Sequence, residues 1–151
     1  MQTLLIEKLR AYIINNNPDV LIELQLDFSV TQYLEQKVAA IQPFLEALLS
    51  ENKPAYIVEE LCLNALTKDL RPSKFNYIRS LLEEEFKPDF LLMKETGTLT
   101  YEIVNLINAG KPVFETLGFT EENEDDRSLY YAIAGTIHQY LKADNKITDT
   151  F

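Results

Sequence analysis

Apolar residues recur at helical spacing almost from the first residue. Leu5, Leu9, Tyr12 and Ile13 stand at i, i+4, i+7 and i+8, which puts them on one face of a first helix running to about Asn15. Asn15-Asn16-Asn17-Pro18 stops it. The segment Val20-Leu21-Ile22-Glu23-Leu24-Gln25-Leu26 is two-sided: its last residues alternate as a strand does, whereas Pro18 at a first helical position favours a helical turn, which is the expectation here. Ser29 followed by Gln32 forms a capping box, and Phe28 followed by Tyr33 offers a hydrophobic staple, so a helix is expected to open there. Val30, Leu34, Val38 and Ile41 continue it, and Phe44, Leu45, Leu48 and Leu49 prolong the stripe toward Glu51. Pro43 lies inside that run without an amide hydrogen, so a kink or break is expected between Ala40 and Gln42.

The second half reads the same way. Pro54 can open a helix whose stripe is Val58, Cys62, Ala65 and Leu66, which turns Cys62 toward the core. Asp69-Leu70-Arg71-Pro72-Ser73 reads as a turn, with Ser73 as N-cap of a helix carrying Tyr77, Ile78, Leu81, Leu82 and Phe86. Lys87-Pro88 is expected to end it, and residues 90–98 read as a loop. A helix capped by Thr98 or Thr100 then buries Ile103, Val104, Leu106 and Ile107 and closes at Asn108-Ala109-Gly110, followed by a short one through Val113, Phe114 and Leu117 that ends at Gly118. The last helix begins near Asp125 or Asp126, carboxylates suited to the positive end of a helix dipole, and carries Leu129, Tyr130, Ile133, Ile137, Tyr140 and Leu141. Ala134 and Gly135 are small enough for a neighbouring helix to come close. From residue 143 the pattern is lost. The sequence therefore predicts an all-α chain without strands: one domain over residues 1–142, of about six to seven short helices in an orthogonal or bundle-like packing, and a polar, frayed tail over 143–151.

Composition narrows the function classes. The 151 residues include one histidine, one cysteine and no tryptophan, so His138 and Cys62 alone cannot build a conventional zinc site or a di-iron helix bundle. No basic leader with a long apolar run stands at the start, and no stretch approaches the roughly 20 apolar residues that span a bilayer, so a cytoplasmic protein without membrane contact is expected. The lone Cys62 fits a reducing compartment. The net charge is −10 and unevenly spread: residues 1–75 hold seven Lys/Arg against ten Asp/Glu, residues 76–151 seven against fourteen. Two clusters cause the excess, Glu83-Glu84-Glu85 and Glu121-Glu122-Asn123-Glu124-Asp125-Asp126. A field of that sign repels phosphate backbones, so no direct nucleic-acid contact is expected. Residues 57–86 have the outline of a helix-turn-helix, but its second helix sets Lys74 and Arg79 against three consecutive glutamates. The simpler reading of both clusters is a solvated surface.

Candidate chemistry is sparse. His138 is one residue, about 100° of rotation, from Ile137 and so belongs at the edge of the core; the residue three before it is Gly135, which leaves no Glu-x-x-His pair. Cys62 is expected to be buried and has one histidine in the whole chain to activate it. Glu59 and Glu60 are adjacent and cannot share a helix face as a carboxylate dyad. The four glycines are isolated, without a phosphate-binding loop. No residue is assigned as catalytic, cofactor-binding or metal-ligating, and no cofactor is expected. Eight tyrosines and eight phenylalanines are the other resource: Tyr130, Tyr131 and Tyr140, with Phe75 and Tyr77, are core residues on the simpler reading and line a groove or a homo-oligomer seam on the other. Tyr131, off the main stripe, distinguishes the two.

The run Pro72-Ser73-Lys74-Phe75-Asn76-Tyr77 leading to Glu84-Glu85-Phe86, then Val113-Phe114-Glu115-Thr116-Leu117, and Ser128-Leu129-Tyr130-Tyr131 with Gly135-Thr136-Ile137 and Tyr140-Leu141, resembles the signatures of a family of small, all-helical, uncharacterised Bacteroidetes proteins, a domain of unknown function. The resemblance covers the chain from the first helix to Leu141, apart from residues 90–98 and the tail. It implies an all-α domain of a kind often encoded on mobile elements and carries over no catalytic or binding residue. The resulting expectation is a non-enzymatic module that binds another protein, an accessory factor of a mobile element. Two alternatives stand beside it. One is an acidic nucleic-acid mimic that occupies a DNA-binding enzyme, which placement of the two acidic clusters on opposite faces would sink. The other is a carboxylate-dependent enzyme working near His138.

Overall fold

In the computed structural model residues 1–149 are described, with side chains through residue 143. Every regular element among them is helical, as expected, but there are ten α-helices and a short 3-10 turn rather than six or seven helices. Proline placement accounts for the difference. Each of the six prolines lies at a helix start: Pro18, Pro43, Pro88 and Pro112 in the first two positions of helices, Pro54 as an N-cap, and Pro72 just before the N-cap Ser73. There the missing amide hydrogen has no partner to lose, so each proline opens a helix where the apolar stripe alone would run on.

The contacts gather in two compact units, Met1–Arg71 and Pro72–Phe151. The first contains α1 (Gln2–Asn16), α2 (Pro18–Leu26), α3 (Val30–Ala40), α4 (Gln42–Ser50), α5 (Ala55–Leu66) and the 3-10 turn Lys68–Leu70. Here α1 is central, packing on α2, α3 and α5, while α4 closes against α3 and α5. Its core is Leu5, Leu9, Ile13, Leu34, Val38, Leu45, Leu48, Val58, Cys62, Leu66 and Leu70, which bears out the stripes of α1 and α3, whose Tyr12, Val30 and Ile41 pack partly buried against it, and that of α5 except for Ala65, which is exposed. Fully burying one such aliphatic side chain stabilises by about 1.5–3 kcal/mol. The break expected at Pro43 is present, with α3 ending at Ala40 and α4 starting at Gln42. Asn17 ends α1 and begins α2; it is buried and its side-chain amide donates to the Leu70 carbonyl at 3.2 Å, tying the first link of the unit to its last.

The second unit contains α6 (Lys74–Glu85), α7 (Lys87–Thr96), α8 (Leu99–Ala109), α9 (Lys111–Leu117) and α10 (Arg127–Asp149). Here α8 and α6 are the hubs: α6 packs on α7, α8 and α10, and α8 also on α7, α9 and α10. The core includes Ile78, Leu81, Leu82, Ile103, Leu106, Phe114, Leu129, Ile133, Ile137 and Leu141. Ser73 caps α6 as expected, accepting from the Asn76 amide at 3.0 Å.

Several local expectations need correction: the Thr98 hydroxyl donates back to the Met93 carbonyl at 3.4 Å instead of capping α8, and Phe44 and Leu49 of the expected α4 stripe are exposed. Residues 90–98 are not a loop: α7 occupies most of them, opened by Pro88, held by buried Phe90 and Met93 and closed by Gly97 in the left-handed region. The capping box at Ser29 does not form, since its hydroxyl donates back to the Leu24 carbonyl at 3.4 Å instead of accepting from α3, and the staple fails because Phe28 faces solvent. Close helix approach occurs not at Gly135, around which a Cβ would meet nothing within 4 Å, but at Gly110, where it would lie 3.3 Å from the Ile133 side chain. Helix α10 runs through Asp149, well past Leu141 where its apolar stripe ends; the final residues of the expected tail, 150–151, lie outside the described residues. No described helix is long and apolar enough to cross a membrane.

Candidate functional site

The reactive side chains singled out in the sequence are kept apart. Cys62 points into the first unit's core from α5, fully buried, and burial pushes its thiol up, away from the reactive thiolate. His138 lies on the exposed side of α10 in the second unit rather than at the core edge. Glu59 is taken by Lys8 at 2.9 Å. Among the described residues no group of three or more His, Cys, Asp or Glu is placed to hold a metal ion.

What the second unit does assemble is an acidic, tyrosine-bound corner. Glu83, Glu84 and Glu85 fill the last turn of α6, where the helix dipole favours cations, and no basic residue stands there. The Tyr130 hydroxyl answers two of them, lying 2.9 Å from Glu84 Oε2 and 2.9 Å from Glu85 Oε1. Burial, then the hydrogen bonds to Glu84 and Glu85 and their charges, hold that phenol protonated far above its usual range, so it serves as a donor and not as a base. One turn earlier Asp126 starts α10: its Oδ1 accepts from the Ser128 amide at 2.7 Å and its carbonyl from the Tyr130 amide at 3.1 Å. Tyr130 thus joins the end of the second acidic cluster to the first. An open depression of about 500 Å³, lined by Ser80, Glu83, Glu84 and Lys87, lies alongside.

The loop before α10 is stapled by Asn123. Its Oδ1 accepts from the Thr120 amide at 2.7 Å, and its amide group donates to the Leu117 and Gly118 carbonyls at 3.2 and 2.9 Å. Beneath it Tyr77, Phe114 and Phe119 pack as a trio with centroids 5.0–6.2 Å apart. The Tyr77 hydroxyl is buried without a hydrogen-bond partner, and burial, then Asp126 and Asp125, push its pKa up to about 12. Of the aromatic set read from the sequence, Phe75 is core, Tyr77, Tyr130 and Tyr140 are half-buried, and Tyr131 stands 64% exposed on the outer side of α10. Tyr140 is fastened by its hydroxyl to Glu102 at 3.1 Å.

In the first unit the residue that sequence reasoning missed is Phe28. It is 97% exposed, and Leu26 beside it is 76% exposed. The α2–α3 link closes α2 by the pattern in which the residue after the C-cap turns left-handed: the Phe28 amide donates to the Gln25 carbonyl at 3.2 Å and the Ser29 amide to the Leu24 carbonyl at 2.9 Å, with Phe28 at φ 54°. Gly97 does the same work after α7, and Asn52, also left-handed, follows α4. Glycine and asparagine tolerate that conformation; in a phenylalanine it costs about 1–2 kcal/mol. The available signal in the sequence was an aromatic residue just past a helix stop, which the staple pattern hid. Comparison of the chain with protein-family models, with curated proteins and with solved structures yields no match.

Proposed function

We propose that this chain is a non-enzymatic protein-interaction module. The observation that carries the reading is the set of large aromatic rings held in solvent by well-packed helices and a hydrogen-bonded turn: Phe28, Tyr56, Tyr101 and Tyr131 each expose well over half of their surface. Aromatic side chains are the usual anchors of protein interfaces, because they bury much area for little conformational entropy. The sequence resemblance supports placing this module among accessory factors of mobile elements. Affinity capture of the tagged full chain from its native host at gentle salt tests the proposal. A saturable partner at fixed stoichiometry is the expected result; recovery of the chain alone across a range of salt contradicts it.

A second reading, an acidic mimic of nucleic acid, is supported by the Tyr130 hydroxyl gathering two carboxylates of the first cluster, at 2.9 Å from Glu84 and 2.9 Å from Glu85. In that case the captured partner would be a DNA-binding enzyme released by competing duplex DNA.

A further inference from the structure

The left-handed Phe28 adds to the module reading, on which it rests, a point of attachment and a kind of partner. Backbone geometry and side-chain environment disagree at this residue. The turn calls for glycine or asparagine, as at positions 97 and 52, yet holds a bulky ring that offsets none of the backbone's strain, because the ring touches almost nothing. Strained residues of this kind persist where the conformation itself serves a purpose, and here the purpose served is projection of the ring clear of the helices. Leu26, two residues earlier, supplies a second apolar side chain.

The charge around them selects the surface they fit. Between Arg10 and Lys37 the chain has no lysine or arginine and four carboxylates, Asp19, Glu23, Asp27 and Glu35. Glu23, Asp27 and Glu35 are exposed, and Asp27 stands directly between the two apolar residues. An anionic lipid surface or a nucleic acid would be repelled. A second copy would bring these carboxylates against another chain of net charge −10. We infer that the α2–α3 knuckle, Leu26 and Phe28 with Glu23 and Asp27, is a docking surface that inserts into an apolar socket rimmed by lysine and arginine on a different protein.

The test places the photoreactive analogue p-benzoylphenylalanine at position 28 of the full chain in its native host, with the same analogue at position 64, an exposed polar site of α5, as control. The expected result is one light-dependent adduct with a single protein, formed from position 28 and not from 64, whose cross-linked site maps to apolar residues flanked by lysine or arginine. Reversing the charges in Glu23→Lys with Asp27→Lys should cut the adduct yield roughly tenfold. An adduct of twice the chain's mass, one with lipid or nucleic acid, or a yield indifferent to charge reversal overturns the inference. A stoichiometric complex that survives Phe28→Ala overturns it while leaving the interaction-module reading intact, whereas absence of any complex with the wild-type chain removes both.

Discussion

Substitutions at Phe28 separate backbone strain from side-chain contact, because the ring is 97% exposed and contributes almost no buried area. A left-handed conformation costs an L-residue about 1–2 kcal/mol. Phe28→Gly removes that cost but adds about 0.5–1 kcal/mol of chain entropy in the unfolded state, so the net gain is about 0.5–1 kcal/mol. Phe28→Asn gains a similar amount, since asparagine tolerates the conformation without that entropy. Phe28→Ala keeps a Cβ and its strain while deleting the ring, so stability should stay within about 0.5 kcal/mol of the parent. Urea unfolding reads these differences. With m of roughly 1–3 kcal/mol per molar, a gain of 0.7 kcal/mol moves the midpoint up by about 0.2–0.7 M at unchanged m. Protection of the Leu9 and Leu34 amides from hydrogen exchange assigns the change to the first unit. A loss of more than about 1 kcal/mol in Phe28→Ala would refute the reasoning, because it would mean that the free protein covers the ring.

Three further outcomes follow from the second unit. Gly135→Ala fills open space on an exposed helix face and should stabilise by about 0.5–1 kcal/mol, read as a higher urea midpoint; a loss would show that something approaches that face. Tyr77→Phe removes a buried hydroxyl that has no hydrogen-bond partner and should be neutral or stabilising at pH 7. Because the folded-state pKa of Tyr77 is about 12 against an ordinary 10.0, its neutral form stabilises the fold fully below pH 10 and that contribution is lost as pH rises from 10 toward 12, so Tyr77→Phe should flatten the alkaline limb of a stability–pH curve and leave the limb below pH 9 unchanged. Ser73→Ala deletes the one side-chain cap of α6 and should cost about 1 kcal/mol, with Ser73→Asp restoring most of it; equal losses in both variants would contradict the capping geometry.

The all-helical class and most of the core were legible in the sequence because long apolar stripes at period 3.6 leave few alternatives: Ile78, Leu81 and Leu82, or Ile103, Leu106 and Ile107, mix spacings of three and four and so share a face only in a helix. Boundaries were harder, since a proline both ends one helix and opens the next. Pro88 was read only as a stop, which hid α7 even though Phe90, Met93 and Gly97 carried its core face and its cap. The partners of small residues were not legible either. Gly110 and Gly135 look alike in sequence, and only the packing of Ile133 against Gly110 shows which one a neighbour requires. The acidic corner depended on a tertiary contact, Tyr130 reaching back 45 and 46 residues to Glu85 and Glu84, which no local spacing encodes. Phe28 was visible as a residue and misassigned, because a staple and a left-handed cap occupy the same place between two helices.

The most direct test of the account is the dissociation constant of the captured partner for wild-type chain and Phe28→Ala, measured beside the urea midpoints of both free proteins. The account predicts equal midpoints and an affinity at least about tenfold weaker for the variant, the behaviour of an anchor that does nothing for its own fold. Equal affinities would contradict it, and so would a weakened affinity accompanied by an equal loss of stability.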